Sequence, residues 1–273
     1  MKYLITGCSG YLGVALTKRL LKEGHKVIGL ARNEKNLVEF KQKFPEVEIL
    51  IGDVSNEWCV RDAMRGVDGV FHFAAQKAVD LAEKNVMSCI LSNVIGTMNI
   101  LKVSFEVKPK FVLFVSTDKA RQVSGVYGAT KLLGERLMSE AERINTKTDY
   151  RTVVYGNVLF SSGSVLCKWK DKMQKGESVM ITDPEMTRFF WSVDEAIDHI
   201  FDCLKQKDST PYTPNMKSMK MSDLLEAMMH KYGIVEVEVI GNRGGENQHE
   251  TLGNDIWSNK VERFTIDEIK TKI

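Results

Sequence analysis

The sequence predicts an α/β fold, a doubly wound parallel sheet with a small C-terminal cap, and three observations predict it. Short apolar, β-rich runs alternate with helical stretches up to about residue 160, and the runs lack polar alternation, as a sheet covered on both faces requires. The first run leads directly into Gly7-Cys8-Ser9-Gly10-Tyr11-Leu12-Gly13, a glycine-spaced turn that opens a helix. Beyond residue 160 the segments shorten and are punctuated by Pro184, Pro211, Pro214 and the glycines from Gly241 to Gly245.

Taken in order, Lys2 to Thr6 reads as a strand. A helix follows from Tyr11 to Glu23, with Leu12, Ala15, Leu16, Arg19 and Leu20 at helical spacing and Gly24 as its stop. Lys26 to Ala31 is the second strand, and a helix from Glu34 to Lys43 ends before Pro45. The third strand is Val47 to Ile51, followed by a helix from Asn56 to Arg65 and a fourth strand from Gly69 to Phe73. A long helical region spans Val79 to Val107, broken near Met87-Ser88 and closed by Pro109. Lys110 to Val115 is the fifth strand, Tyr127 to Asn145 the next helix and Tyr150 to Val158 the sixth strand. Right-handed crossovers join such units into one sheet. Residues 1–160 are therefore expected to form one domain, to which a helix at about 193–206 returns, while 161–192 and 207–273 form the cap.

Composition narrows the function classes. Of 273 residues, 43% are hydrophobic and 27% charged, and 38 Lys and Arg against 36 Asp and Glu leave a net charge of +2. That balance argues for neither nucleic acid nor an acidic membrane surface as partner. No apolar run is read as approaching the roughly 20 residues that span a bilayer. The N-terminal Tyr3-Leu4-Ile5 is interrupted at once by Thr6 and Gly7, unlike a signal peptide. Five cysteines, Cys8, Cys59, Cys89, Cys167 and Cys203, form no CxxC pair, and no His stands at zinc-ligand spacing. Reduced thiols, no metal and a cytoplasmic location are expected. The 13 methionines, among them Met216, Met219, Met221, Met228 and Met229, read as core filling.

The glycine turn lets backbone approach a pyrophosphate at a helix N-terminus, so Gly7, Ser9, Gly10, Tyr11, Leu12 and Gly13 are expected to bind a dinucleotide. Arg32 ends the second strand, where an NAD-selective fold carries an acid for the ribose hydroxyls. A guanidinium suits a 2′-phosphate, which favours NADP over NAD. Asp53 and Val54 follow the third strand, at the expected adenine position. Tyr127-Gly-Ala-Thr-Lys131 places a phenol and an ammonium on one helix face, where the cation lowers the phenol's pKa and makes it a general base. Ser116-Thr117-Asp118-Lys119-Ala120 follows the fifth strand, at the strand ends that face a ligand crevice. GxxGxxG and YxxxK, at this distance in an α/β chain, identify a Rossmann-like member of the short-chain dehydrogenase/reductase superfamily.

Within that superfamily, STDKA, YGATK, the run from Tyr155 to Val165 and Thr182-Asp-Pro-Glu-Met-Thr-Arg-Phe-Phe190 resemble the UDP-N-acetylglucosamine 4,6-dehydratases of polysaccharide biosynthesis. His72-Phe-Ala-Ala-Gln-Lys77 and Arg243-Gly-Gly-Glu246-Asn-Gln-His-Glu250 extend the likeness over almost the whole chain. The resemblance implies that Tyr127, helped by Lys131, takes the sugar O4 proton while C4 gives hydride to NADP⁺. It implies that Lys119 removes the C5 proton and Asp118 protonates the departing C6 hydroxyl, two roles the sequence leaves exchangeable, and that hydride returns to C6. Thr117 is placed at O4. Ser116, Ala74, Ala75 and Val158 are implied at the cofactor together with Tyr127 and Lys131, and Val158 beside the nicotinamide. Lys77, Asn157, Ser164 and Val165 are implied at the sugar nucleotide, and Arg188, Arg243 and Glu246 at its UDP part.

Two departures stand out: Lys77-Ala-Val-Asp80 replaces a commoner Lys-His-Val-Pro, and Gly244 replaces a proline. The resemblance implies a homodimer or higher homo-oligomer, formed through the helices at 79–107 and 127–145, while the multi-helix membrane segment that some relatives carry is not expected here. YxxxK is read as favouring retention at C5. The alternatives are a C5-inverting dehydratase, a nucleotide-sugar 4-epimerase or reductase, and a non-catalytic NADP-binding sensor.

Overall fold

The computed structural model describes residues 1–241 and 246–273. The chain divides into two compact units, one of Met1–Val154 and Ile197–Thr213, the other of Tyr155–Ala196 and Pro214–Ile273.

The first unit holds a six-stranded sheet in the order β3-β2-β1-β4-β5-β6. Its strands are β1 (Lys2–Thr6), β2 (Lys26–Ala31), β3 (Glu48–Ile51), β4 (Gly69–His72), β5 (Phe111–Thr117) and β6 (Asp149–Tyr155). The pairings of β1 with β2 and β4, of β2 with β3 and of β4 with β5 are parallel. This is the doubly wound order whose switch point lies between β1 and β4. Helices α1 (Tyr11–Lys22), α2 (Glu34–Lys43) and α3 (Glu57–Ala63) connect the first strands. After β4 come α4 (Val79–Lys84), α5 (Val86–Ile90), a π-helical turn (Leu91–Ile95) and α6 (Gly96–Val107); α7 (Val126–Ile144) precedes β6. The uninterrupted apolar runs are explained by burial: Leu4, Ile28, Leu30, Val70, Val112 and Phe114 pack with Val60, Ile100 and Met138 of the helices in one core.

The second unit contains β7 (Asn157–Val158), α8 (Val165–Gln174), β8 (Val179–Ile181), β9 (Thr187–Trp191), the start of α9 (Val193–Cys203), β10 (Ser218–Lys220), α10 (Met221–Tyr232), β11 (Val237–Val239), β12 (Thr251–Gly253), β13 (Ile256–Trp257) and α11 (Ile266–Lys272). Trp169, Met173, Phe190, Met219, Leu224, Met228 and Ile269 form its core, so methionines do fill it.

Four sequence-based boundaries shift, each for a local reason. The break in the long helical region falls at Asn85, whose φ of −131° and ψ of 55° leave the helix, rather than near Met87. β5 runs on through Thr117, so Ser116 and Thr117 are strand residues. The sixth strand stops at Tyr155: an added Cβ on Gly156 would lie 2.6 Å from Phe189 Cβ, and the next residues pair with β9 instead. Residues 207–213, expected in the cap, belong to the first unit, where Tyr212 N donates to Thr152 O at 2.7 Å and Tyr212 O accepts from Val154 N at 2.9 Å.

The helical run Val86–Val107 corrects the membrane arithmetic. Its 22 residues are long and apolar enough, by length and composition, to cross a membrane, yet 44% of the apolar window is buried inside the protein. Ile100, Leu101 and Val103 lie in the sheet's core.

Candidate active site

The glycine turn has the geometry of an anion cradle. Gly7 takes a φ of +70°, and a Cβ there would lie 2.9 Å from Ala74 N, so both the backbone and the loop after β4 demand glycine. Gly10 N-caps α1 without a side-chain bond, and the first turn carries no acid. No acidic side chain in that turn offsets the positive end of the helix dipole, which fits a pyrophosphate. Gly13 is buried one turn in. Cys8 is buried in the same turn and its thiol is pushed up to about 12 by burial, so it stays protonated and inert.

At the ends of β2 and β3, Arg32 Nη1 lies 3.2 Å from Asp53 Oδ2, and Asp53 Oδ1 accepts from Ser55 N at 2.8 Å. Burial pushes the Asp53 carboxyl up, but the Ser55 hydrogen bonds and the Arg32 guanidinium outweigh it and hold it below the usual range. Val54 is buried.

A directed hydrogen-bond chain fixes the loop after β4. Thr6 Oγ1 accepts from Phe73 N and Ala74 N, both at 3.1 Å, and meets His72 Nδ1 at 2.8 Å. Thr97 Oγ1 gives its proton to Asn93 O at 2.7 Å, so toward His72 Nε2, 3.1 Å away, it acts as acceptor. His72 is thus neutral with its proton on Nε2, and burial, then Lys131, press its pKa down to about 3. Asn93, on the π-helical turn, grips the same loop: its Oδ1 accepts from Gln76 N at 2.8 Å and its Nδ2 donates to Gln76 O at 3.0 Å. π turns recur at functional positions. Ala74 and Ala75 are half-buried and Lys77 is exposed.

The reactive groups cluster at the end of β5 and the start of α7. Asp118 is 1% exposed. Its Oδ1 accepts from Thr117 Oγ1 at 2.9 Å and pairs with Lys119 Nζ at 3.2 Å. Its Oδ2 is buried and has no hydrogen-bond partner among the described residues. Burial pushes Tyr127 up to about 12; Lys119 and a hydrogen bond with Thr117 oppose this, and Asp118 adds to it. Lys131 is pushed down to about 7 by burial, which Glu135 and Cys89 oppose, and its Nζ stands 3.9 Å from the centre of the Phe114 ring. Lys119, read from the sequence only as a base, thus also opposes the rise of the Tyr127 pKa.

Two acids that sequence reading passed over support this cluster. Glu83 of α4 caps α7: its Oε1 accepts from Val126 N at 2.6 Å, where the N-cap residue Gly125 has no side chain to offer. Glu135 of α7 pairs with Arg121 Nη2 at 2.8 Å and accepts from Ser116 Oγ. Glu135 follows Lys131 by four residues, and that spacing was the one available signal. Glu83 had none, because its partner lies 43 residues away.

The second unit carries the remaining expected residues. Asn157 Nδ2 donates to Phe189 O at 3.3 Å, and Val158 is buried beside Trp191 on β9. Ser164 and Val165 form the N-terminus of α8. Arg188, expected at a diphosphate, is engaged elsewhere. Its Nη1 donates to Thr187 O at 2.8 Å and Gln248 O at 3.0 Å, its Nη2 donates to Asn247 O at 2.6 Å, and its Nε lies 3.7 Å from Glu250. It braces the 247–250 segment. Glu246 is exposed, and Arg243 lies outside the described residues.

Comparison with known proteins places the chain in a group. A profile of a polysaccharide biosynthesis protein family matches residues 3–269. A Campylobacter jejuni protein named UDP-N-acetylglucosamine 4,6-dehydratase (inverting) is 36% identical over 91% of this chain and 76% of its own length. A Methanocaldococcus jannaschii protein named as an uncharacterized membrane protein is 37% identical over 91% and 79%. A Rickettsia conorii protein named UDP-glucose 4-epimerase is 32% identical over 91% and 76%. Among solved structures, Pen from Bacillus thuringiensis superposes with a TM-score of 0.95 at 27% identity, over 99% of this chain and 96% of its own. A Streptomyces venezuelae dTDP-glucose 4,6-dehydratase solved with NAD, at 19% identity and a TM-score of 0.84 over 100% and 95%, shares the fold. The expectation of retention at C5 finds no support, since the Campylobacter relative is named as inverting. The physical reason is that a YxxxK pair bears on a hydroxyl proton and carries no information on the face from which C5 would be reprotonated, which alone sets its configuration.

Proposed function

The chain belongs to the polysaccharide biosynthesis protein family, and on that premise we propose that it is a hydro-lyase, a UDP-N-acetylglucosamine 4,6-dehydratase that inverts C5. The observation that carries this reading is the buried Asp118 Oδ2, an acceptor without a partner among the described residues, beside Lys119 and on the segment that abuts Tyr127. Epimerisation or reduction at C4 asks for the tyrosine alone. Elimination across C5 and C6 asks also for a base and an acid.

The chain's own residues then divide the protons. Tyr127 accepts the O4 proton as C4 becomes a ketone, with the Lys119 ammonium and, one turn along α7, that of Lys131 favouring the phenolate. Once the proton shared by the ion pair moves from Lys119 Nζ to Asp118, the Lys119 amine takes the C5 proton that the ketone has acidified, and Asp118 protonates the departing C6 hydroxyl, which leaves as water. Water reprotonates C5 from the opposite face, which inverts it, so the two protons taken by Tyr127 and Lys119 equal the one that Asp118 gives and the one that C5 receives. When bound on the Gly7–Gly13 turn, a nicotinamide dinucleotide supplies hydride acceptance at C4 and hydride donation at C6. Arg32 supports NADP over NAD, as a guanidinium suited to a 2′-phosphate.

A homodimer is proposed through the helices on which Leu81, Val86, Met87, Leu91, Met98 and Leu133 are exposed, and a cytoplasmic setting is proposed from the free cysteines. The rickettsial relative's name favours C4 epimerisation as the second reading. Incubation with UDP-GlcNAc and catalytic NADP⁺, followed by mass spectrometry and NMR, separates the two. A 4-keto product lighter by one water with C5 inverted is expected. A C4 epimer of unchanged mass refutes dehydration, and a product that keeps C5 refutes inversion.

A further inference from the structure

Glu135 stands one helical turn beyond Lys131 on α7 and is only 4% exposed. A single oxygen, Oε1, accepts from Ser116 Oγ and from Arg121 Nη2. Ser116 lies near the end of β5. Arg121 closes the turn Asp118–Ala120, its amide donating to Asp118 O at 2.9 Å. The carboxylate thereby grips both ends of the segment 116–121, which carries Thr117, Asp118 and Lys119. A buried carboxylate persists only when paired, and this one is paired with the strand and turn packed against its helix.

We infer that Glu135 is a positioning residue, one that sets the register of Thr117, Asp118 and Lys119 against Tyr127 and Lys131. The inference rests on the reaction proposed for those residues. The groups facing Lys131 are Glu135 on its own helix, Cys89 on α5 and His72 on β4. Of these, Glu135 supplies the opposite charge, so the same carboxylate also sustains the Lys131 ammonium.

The test compares Glu135→Gln, which keeps an acceptor for Ser116 but loses the ion pair, with Arg121→Gln, which loses the tether but leaves the charge beside Lys131. Amide hydrogen exchange of the full chain without substrate should quicken across 116–121 by about tenfold or more in both variants, with β1 and β2 unaltered. In turnover, Glu135→Gln should lower kcat with little change in KM. The alkaline limb of its pH–rate profile should also move to lower pH, because the ammonium loses its counter-charge. Arg121→Gln should lower kcat without moving that limb. Unaltered exchange across 116–121, or an unmoved pH limb in Glu135→Gln, overturns the assignment. Should Glu135→Gln not fold, exchange in Arg121→Gln decides alone. If the wild-type chain removes no water from UDP-GlcNAc, the reaction reading fails, while the exchange result still decides the tether.

Discussion

Replacing Gly125 by alanine isolates how α7 presents Tyr127. The backbone there has a φ of −165° and a ψ of 176°, extended and open to any residue, so alanine brings no conformational strain. In such a setting Gly→Ala ordinarily stabilises by about 0.4–1 kcal/mol through the unfolded chain. Here the new Cβ would stand 2.3 Å from Glu83 Oε1. The carboxylate is the far end of a flexible side chain, so it moves aside, and the cost is the cap it provides. Losing a carboxylate cap costs about 0.5–2 kcal/mol, and losing its charge at the helix N-terminus about 0.3–1 kcal/mol more. The net is a destabilisation of about 0–2.5 kcal/mol, which at about 2–4 °C per kcal/mol lowers Tm by up to about 10 °C. The decisive assay is a double-mutant cycle in thermal or urea unfolding. With Glu83→Ala already present, Gly125→Ala should cost nothing or stabilise, because no cap remains to displace. Equal effects of Gly125→Ala in both backgrounds refute the capping role of Glu83.

Three further outcomes follow from the same geometry. Tyr127→Phe should abolish turnover while dinucleotide affinity, measured by fluorescence titration, changes less than about threefold; wild-type turnover would remove the base assignment. Lys131 should titrate near pH 7 when followed by NMR, whereas an unfolded lysine holds its proton to about pH 10.4. Between those values the unfolded chain binds the extra proton, so stability should rise with pH, and Lys131→Met should flatten that slope. Arg32→Ala should weaken NADP binding by about tenfold or more and leave NAD nearly unaffected; equal losses for both cofactors count against a 2′-phosphate contact.

Much of the fold was legible because its signals are local. Apolar runs such as Tyr3-Leu4-Ile5 and Val112-Leu113-Phe114 announce buried strands, and the glycine turn declares where a pyrophosphate fits. Boundaries were missed where a distant partner decides them. β6 gives way after Tyr155 because Asn157 and Val158 pair with β9, and residues 207–213 join the first unit because Tyr212 pairs with β6. The long apolar run Val86–Val107 hid from a search for unbroken hydrophobicity because Ser92, Asn93, Thr97 and Asn99 interrupt it.

The sequence by itself determined the chemistry on offer, a phenol, a lysine and an adjacent acid and amine at the strand ends of a doubly wound sheet. Residue type and short spacing are enough for that. Only the tertiary structure decided which charge acts on which. It put Lys131 over Phe114, brought in Lys119 as a cation that opposes the rise of the Tyr127 pKa, turned Arg188 to backbone carbonyls and set Glu83 and Glu135 behind the cluster. Electrostatic influence depends on distance and burial in three dimensions, and neither can be read along a chain.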